Sequence, residues 1–121
     1  MTRLVPAVAL VALAAVAVAP AARKPPTRLQ ATAKEFYFVL SARTVKQGPA
    51  IVELVNYGED AHDLRLQRLG GGKVYRTKLL DPGKYQDLEL TLLPGRYRLW
   101  CGVPTHASLG MKTTLVVKRT A

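Results

Sequence analysis

From Lys34 onward the chain runs in short segments rich in Val, Leu, Tyr and Thr, each closed by Gly, Pro, Asn or Asp. The segments are KEFYFVL (34–40), PAIVELV (49–55), AHDLRLQRL (61–69), KVYRTKLL (73–80), YQDLELTLL (85–93), RYRLWC (96–101) and KTTLVVK (112–118). Breaks fall at Gln47-Gly48-Pro49, Asn56-Tyr57-Gly58, Gly70-Gly71-Gly72, Asp81-Pro82-Gly83 and Pro94-Gly95. No part of this region keeps a helical period, and no internal repeat is visible. Short strands with frequent turns predict an all-β antiparallel two-sheet sandwich of about seven to eight strands.

Alternation assigns faces, because successive side chains of a strand point to opposite sides. In RYRLWC the arginines Arg96 and Arg98 need water, so Tyr97, Leu99 and Cys101 face inward and Trp100 outward. In AHDLRLQRL the same rule turns His62, Leu64 and Leu66 inward, and Asp63, Arg65 and Gln67 outward. His62 and Cys101 are therefore expected at strand ends, both facing the core.

The start of the chain has a different character. Residues 1–22 open with a basic Arg3, continue as a run of Ala, Val and Leu, and offer a small-x-small cleavage site at Ala19-Pro20-Ala21. This reads as a secretory signal peptide or, uncleaved, as an N-terminal membrane anchor. Residues 23–33, with Pro25 and Pro26, read as a linker, leaving 34–121 as the domain. The expected location is secreted, periplasmic or otherwise extracytoplasmic.

Charge narrows the partners. The chain holds 18 Lys+Arg against 8 Asp+Glu, a net +10; losing Arg3 with the leader leaves 17 against 8, or +9. Such a field attracts acidic proteins, anionic head groups or nucleic acid. The cations are scattered, and no nucleic-acid module surrounds them, so no nucleic-acid partner is expected.

The candidate chemistry is compact. Once Met1 leaves, the chain's stock of imidazole and sulfur is His62, Cys101, His106 and Met111. Two imidazoles, one thiolate and a weak thioether are the ligand set of a mononuclear blue copper site, and the count leaves no donor over. Structural zinc also takes Cys and His, but usually wants four strong ligands and has little use for a thioether. Cys101 could instead pair with His62 or His106 as a nucleophile, oriented by Asp60 or Asp63, yet no oxyanion donor or substrate pocket is legible. Copper oxidases and nitrite reductases need further histidines, and a binuclear oxidase-type centre needs a second cysteine.

The spacing C-x4-H-x4-M of CGVPTHASLGM, the Gly110-Met111 pair, the preceding YRLWC and the upstream NYGEDAH resemble the cupredoxins, whose first ligand lies in N-x-G-x-x-x-H. The loop spacing is like that of rusticyanin, and its wording is like that of the phytocyanins. The resemblance, covering about Lys34 to Arg119, implies a Greek-key β-sandwich. It also implies one copper ion held by His62, Cys101 and His106 in the equatorial plane and Met111 axially, carrying single electrons rather than catalysing a reaction. Two departures stand out. Ala107 occupies the place of a phytocyanin cysteine, and Asp63 stands where Asn is common, so that the side chain can accept but not donate hydrogen bonds when ionised. The resemblance makes His106, on an apolar loop with Val103, Pro104, Ala107 and Leu109, the exposed edge for the electron. An acidic redox partner of the cytochrome or oxidase class and a monomeric state are expected; copper carriage or storage is the alternative function.

Overall fold

The computed structural model describes residues 6–20 and 23–119. Arg3, Ala21 and Ala22 of the expected leader, and Thr120 and Ala121, lie outside the described residues. Residues 6–20 form no regular secondary structure. Among the described residues, no helix is long and apolar enough to cross a membrane.

Nine strands follow: β1 Thr27–Lys34, β2 Tyr37–Leu40, β3 Thr44–Lys46, β4 Gly48–Asn56, β5 Arg65–Arg68, β6 Tyr75–Arg76, β7 Tyr85–Leu92, β8 Gly95–Trp100 and β9 Lys112–Lys118. They form two sheets, β2-β1-β4-β7 and β3-β9-β8-β5-β6. The sandwich is as expected, but it is mixed rather than purely antiparallel. β1 runs parallel to β4 and β3 parallel to β9, each crossing beside a distant strand.

The domain also starts earlier than its sequence suggested. Strand β1, Thr27–Lys34, all but its last residue assigned to the linker, is an inner strand of its sheet, with Leu29, Ala31 and Ala33 buried against the opposite sheet. Two of those three inward positions are alanines, which carry little hydrophobic signal beside Pro25 and Pro26. Two of the sequence segments shrink. Of AHDLRLQRL only Arg65–Arg68 is strand, and of KVYRTKLL only Tyr75–Arg76.

Between the sheets lie Leu29, Val52, Leu54, Leu64, Leu66, Leu92, Leu99 and Leu115, all nearly or wholly buried. Most lie on strands at inward positions of the period-two alternation, as a half-buried strand requires. Cys101, just after the last residue of β8, and Met111, just before the first of β9, continue this core. The core thus runs without interruption into the end of the sandwich where the candidate ligands sit.

Candidate metal centre

His62 is fixed by backbone before its side chain does anything. It forms an isolated antiparallel bridge with Leu80, giving its N–H to the Leu80 carbonyl at 3.0 Å and receiving the Leu80 N–H at 2.8 Å. Asn56, fully buried at the end of β4, donates through Nδ2 to the carbonyls of Asp60 (2.8 Å) and Leu80 (2.9 Å), and its Oδ1 accepts the Gly58 N–H. The NYGEDAH segment is therefore a turn stitched around one asparagine, and it delivers His62 to the core.

Cys101 and His106 come from the other side. Cys101 follows β8 and donates its N–H to the Met111 carbonyl at 3.1 Å, while Met111 donates to the His106 carbonyl at 3.1 Å. Between them the chain turns tightly: Thr105 takes a left-handed φ of 73°. Gly110 has φ 125°, and a Cβ there would lie 2.9 Å from the Phe36 carbonyl. The Phe36 ring meets the His106 ring edge-on, with centroids 4.9 Å apart.

Three of the four expected donors converge. His62 Nδ1 and His106 Nδ1 are 3.2 Å apart, and Cys101 Sγ lies 4.0 Å from the first and 3.7 Å from the second. Among the described residues these form a buried group able to hold one ion. Two imidazoles and one thiolate would hold copper, and the remaining sulfur, the Met111 thioether, is a donor that copper accepts and structural zinc seldom uses, so the donor set fits copper better than structural zinc. Met111 is wholly buried and adjoins Cys101 and His106 through the backbone bonds above.

A residue the sequence reading did not single out completes the site. Glu35, in the turn between β1 and β2, accepts at Oε1 from the N–H groups of Glu59 and Asp60, both at 2.7 Å, and lies 2.9 Å from His62 Nε2. The Asp60 N–H chiefly, with the His62 ring and the Glu59 N–H, outweighs desolvation and brings its carboxyl down to about 2. An ionised carboxylate only accepts, so Nε2 carries the proton and Nδ1 keeps its lone pair toward the thiol. Gly58 makes this possible, since a Cβ there would sit 2.8 Å from His62 Nε2 and run into the Glu35 carboxylate. The detectable signal was a glutamate opening the apolar segment KEFYFVL, but its partner lies 27 residues away.

Two further expectations change. Asp63, assigned outward by alternation, is 6% exposed. Residues 61–64 form a bridge rather than a strand, which frees its carboxylate to accept the Gly102 N–H and the Arg65 Nε–H (3.2 Å). The Asp thus ties the two ligand segments together as an acceptor. His106 is less open than an exposed edge, at 7%; Phe36 covers it, and its Nε2 lies 3.8 Å from Asp60 Oδ2. Burial pushes the Cys101 thiol up from its ordinary value of 9.0, the opposite of what an activated nucleophile needs, and Asp63 bonds neither histidine.

The sequence profile of the copper-binding plastocyanin/azurin family matches residues 27–118. The chain is a cupredoxin. That match begins at the first residue of β1, seven residues before the boundary expected from the sequence. Among solved structures, this cupredoxin is similar to dithionite-reduced auracyanin from the photosynthetic bacterium Roseiflexus castenholzii, at 19% identity and a TM-score of 0.64, covering 78% of this chain and 99% of that one. It is also similar to reduced rusticyanin, at 19% identity and a TM-score of 0.57, covering 79% and 82%. A multicopper oxidase matches at 16% identity and a TM-score of 0.59, but 80% of this cupredoxin covers only 40% of that chain. At such identities the likeness is one of fold. No curated protein matches. Copper is the metal of this cupredoxin's family, and the cluster offers a site for a single ion.

Proposed function

We propose that the protein is an exported blue copper carrier of single electrons, whose ion His62, Cys101, His106 and Met111 would hold. The observation that carries the reading is the convergence of two Nδ1 atoms and one thiol sulfur, none more than 4.0 Å from another, in a closed setting. His62 and Met111 are 0% exposed, Cys101 1% and His106 7%. Such closure suits passage of an electron and leaves no place for a substrate. The surface grooves lined by Thr27, Gly48 and Leu92 and by Arg98 and Thr114 do not reach the cluster.

Copper, when bound, supplies a one-electron couple. The chain's own groups prepare for it. Glu35 holds the proton on His62 Nε2, so Nδ1 needs no tautomer change. The buried Cys101 thiol gives up its proton on loading, which makes metal uptake pH-dependent. Asp63, anchored to the Gly102 N–H, keeps the Cys101 segment registered on the His62 segment. Paired strand ends and a short loop limit ligand motion when the charge changes, and the ring edge of His106 gives the nearest approach to the surface.

The apolar, Ala- and Val-rich start of the chain supports export or membrane anchoring, and the +9 remaining after it supports an acidic redox partner. Copper carriage or storage is disfavoured by the same closure, since an ion enclosed by four buried residues is retained rather than handed on. The test is the visible spectrum of the Cu(II) protein, followed through reduction and reoxidation. An intense thiolate-to-copper band that bleaches and returns is expected; a colourless complex, or one that does not cycle, sinks the proposal.

A further inference from the structure

The two outer faces of the sandwich carry different charges. Outward positions of β2-β1-β4-β7 hold Arg28 and Lys34 against Glu53, Asp87 and Glu89. Outward positions of β3-β9-β8-β5-β6 hold cations and no carboxylate. Arg76, Arg65, Trp100 and Lys112 are consecutive cross-strand neighbours in one row, and Gln67, Arg98 and Thr114 form the next. Arg96 lies beyond them, and Lys46 pairs with Lys118 at the far end.

The first row is continuous with the metal centre. Trp100 precedes Cys101 and Lys112 follows Met111, while a Cβ on Gly102 would run into the Arg65 guanidinium lying over it. The Arg98 guanidinium sits 4.4 Å above the centre of the Trp100 ring. The edge of His106 is framed by the opposite sign, with Asp60 3.8 Å from its Nε2 and Glu59 exposed beside Asp60. An anionic surface approaching this end is drawn to the sheet and repelled from the rim.

We propose that the outward face of β5, β8 and β9, centred on Trp100, is the docking surface for an acidic redox protein. The inference rests on the electron-carrier reading and adds where the partner sits. Arginine dominates the face near the copper end and surrounds one half-buried tryptophan, the composition enriched at protein interfaces. A membrane-surface element instead projects bulky apolar groups into the bilayer, and Trp100 lies under a guanidinium rather than standing free. In the encounter one electron leaves the partner's ferrous haem, which becomes ferric, and the cupric site becomes cuprous; no proton or bond is exchanged.

The acidic haem domain of cytochrome b5 serves as probe. Titrated into the 15N-labelled metal-free protein, it should shift amides of β5, β8 and β9. With the copper-loaded protein, Arg76→Glu/Lys112→Glu should slow reduction by the ferrous probe about tenfold at 0.01 M salt, where screening extends about 30 Å, and less than about twofold at 1 M, where it extends about 3 Å. Arg28→Glu/Lys84→Glu, the same charge change on β1 and just ahead of β7 in the other sheet, should cost less than about twofold at either salt. Equal slowing by both pairs overturns the proposal, as do shifts centred on residues 105–109. Binding to phosphatidylserine vesicles without any response to the haem probe makes the face a membrane surface and also overturns it. Reduction by neutral hydroquinone separates the two failures: a site that does not accept an electron from it fails as a carrier, whatever the face does.

Discussion

The two histidines reach one point by unlike means. His62 is wholly buried, bridged to Leu80 in both backbone directions and held through Nε2 by a carboxylate. His106 stands on a tight loop, wedged against Phe36, with Asp60 3.8 Å from its outer nitrogen. The first arm is built from segments distant in the chain, with its proton position chosen for it. The second is local, and its precision comes from two backbone positions of positive φ. Removing the carboxylate of the first arm should therefore alter electronic properties, and disturbing the backbone of the second should alter stability.

The largest effect comes from the donor that both arms share. Cys101→Ser should abolish the thiolate charge-transfer colour of the Cu(II) protein entirely; colour that survives would mean that the two arms meet elsewhere. Next, Gly110→Ala should cost about 1–3 kcal/mol in denaturant unfolding, because φ 125° is strained for a side chain and the Phe36 carbonyl leaves no room. An unchanged midpoint would show that the loop adapts.

Two substitutions should then move the reduction potential in opposite directions. Met111→Gln replaces a soft donor with a harder oxygen, stabilises Cu(II), and should lower the potential by about 59 mV or more, the tenfold step for a one-electron couple, with the colour kept. Glu35→Gln removes the charge that makes His62 the better donor to Cu(II), and should raise the potential by up to about 59 mV. A drop, or no change, would reduce Glu35 to a brace for the turn.

The smallest effect is in pH. The folded-state value of Glu35, about 2, lies below the ordinary 4.5. Its hydrogen bonds therefore stabilise the fold above the ordinary value, and that stability is lost as pH falls from about 4.5 to about 2. The metal-free Glu35→Gln variant, which cannot titrate, should lose less stability across that interval in acid-unfolding curves.

The loop arm was legible in the sequence because Cys101, His106 and Met111 follow one another within eleven positions. His62 was legible by count and by alternation. The rest was hidden for physical reasons. Strand β1 buries Ala31 and Ala33, and its turn to β2, Glu35-Phe36, holds none of the Gly, Pro, Asn or Asp that marked the other breaks, so neither hydropathy nor turn chemistry announced it. Strand β3 is three residues long and pairs with β9 near the other end of the chain. Asp63 defeated the alternation rule because its segment is a single bridge, where the period of two does not operate. Glu35 could be recognised only once the fold had closed 27 residues of chain.

His62 and Cys101 are 39 residues apart in sequence, and an ion bound to both closes that span as a covalent crosslink would. By the loop-entropy relation used for disulfides, such a clasp removes about 4 kcal/mol of freedom from the unfolded chain. With a lone cysteine, the protein can form no internal disulfide. Bound copper would then serve as its staple, and the loaded protein should melt well above the metal-free one.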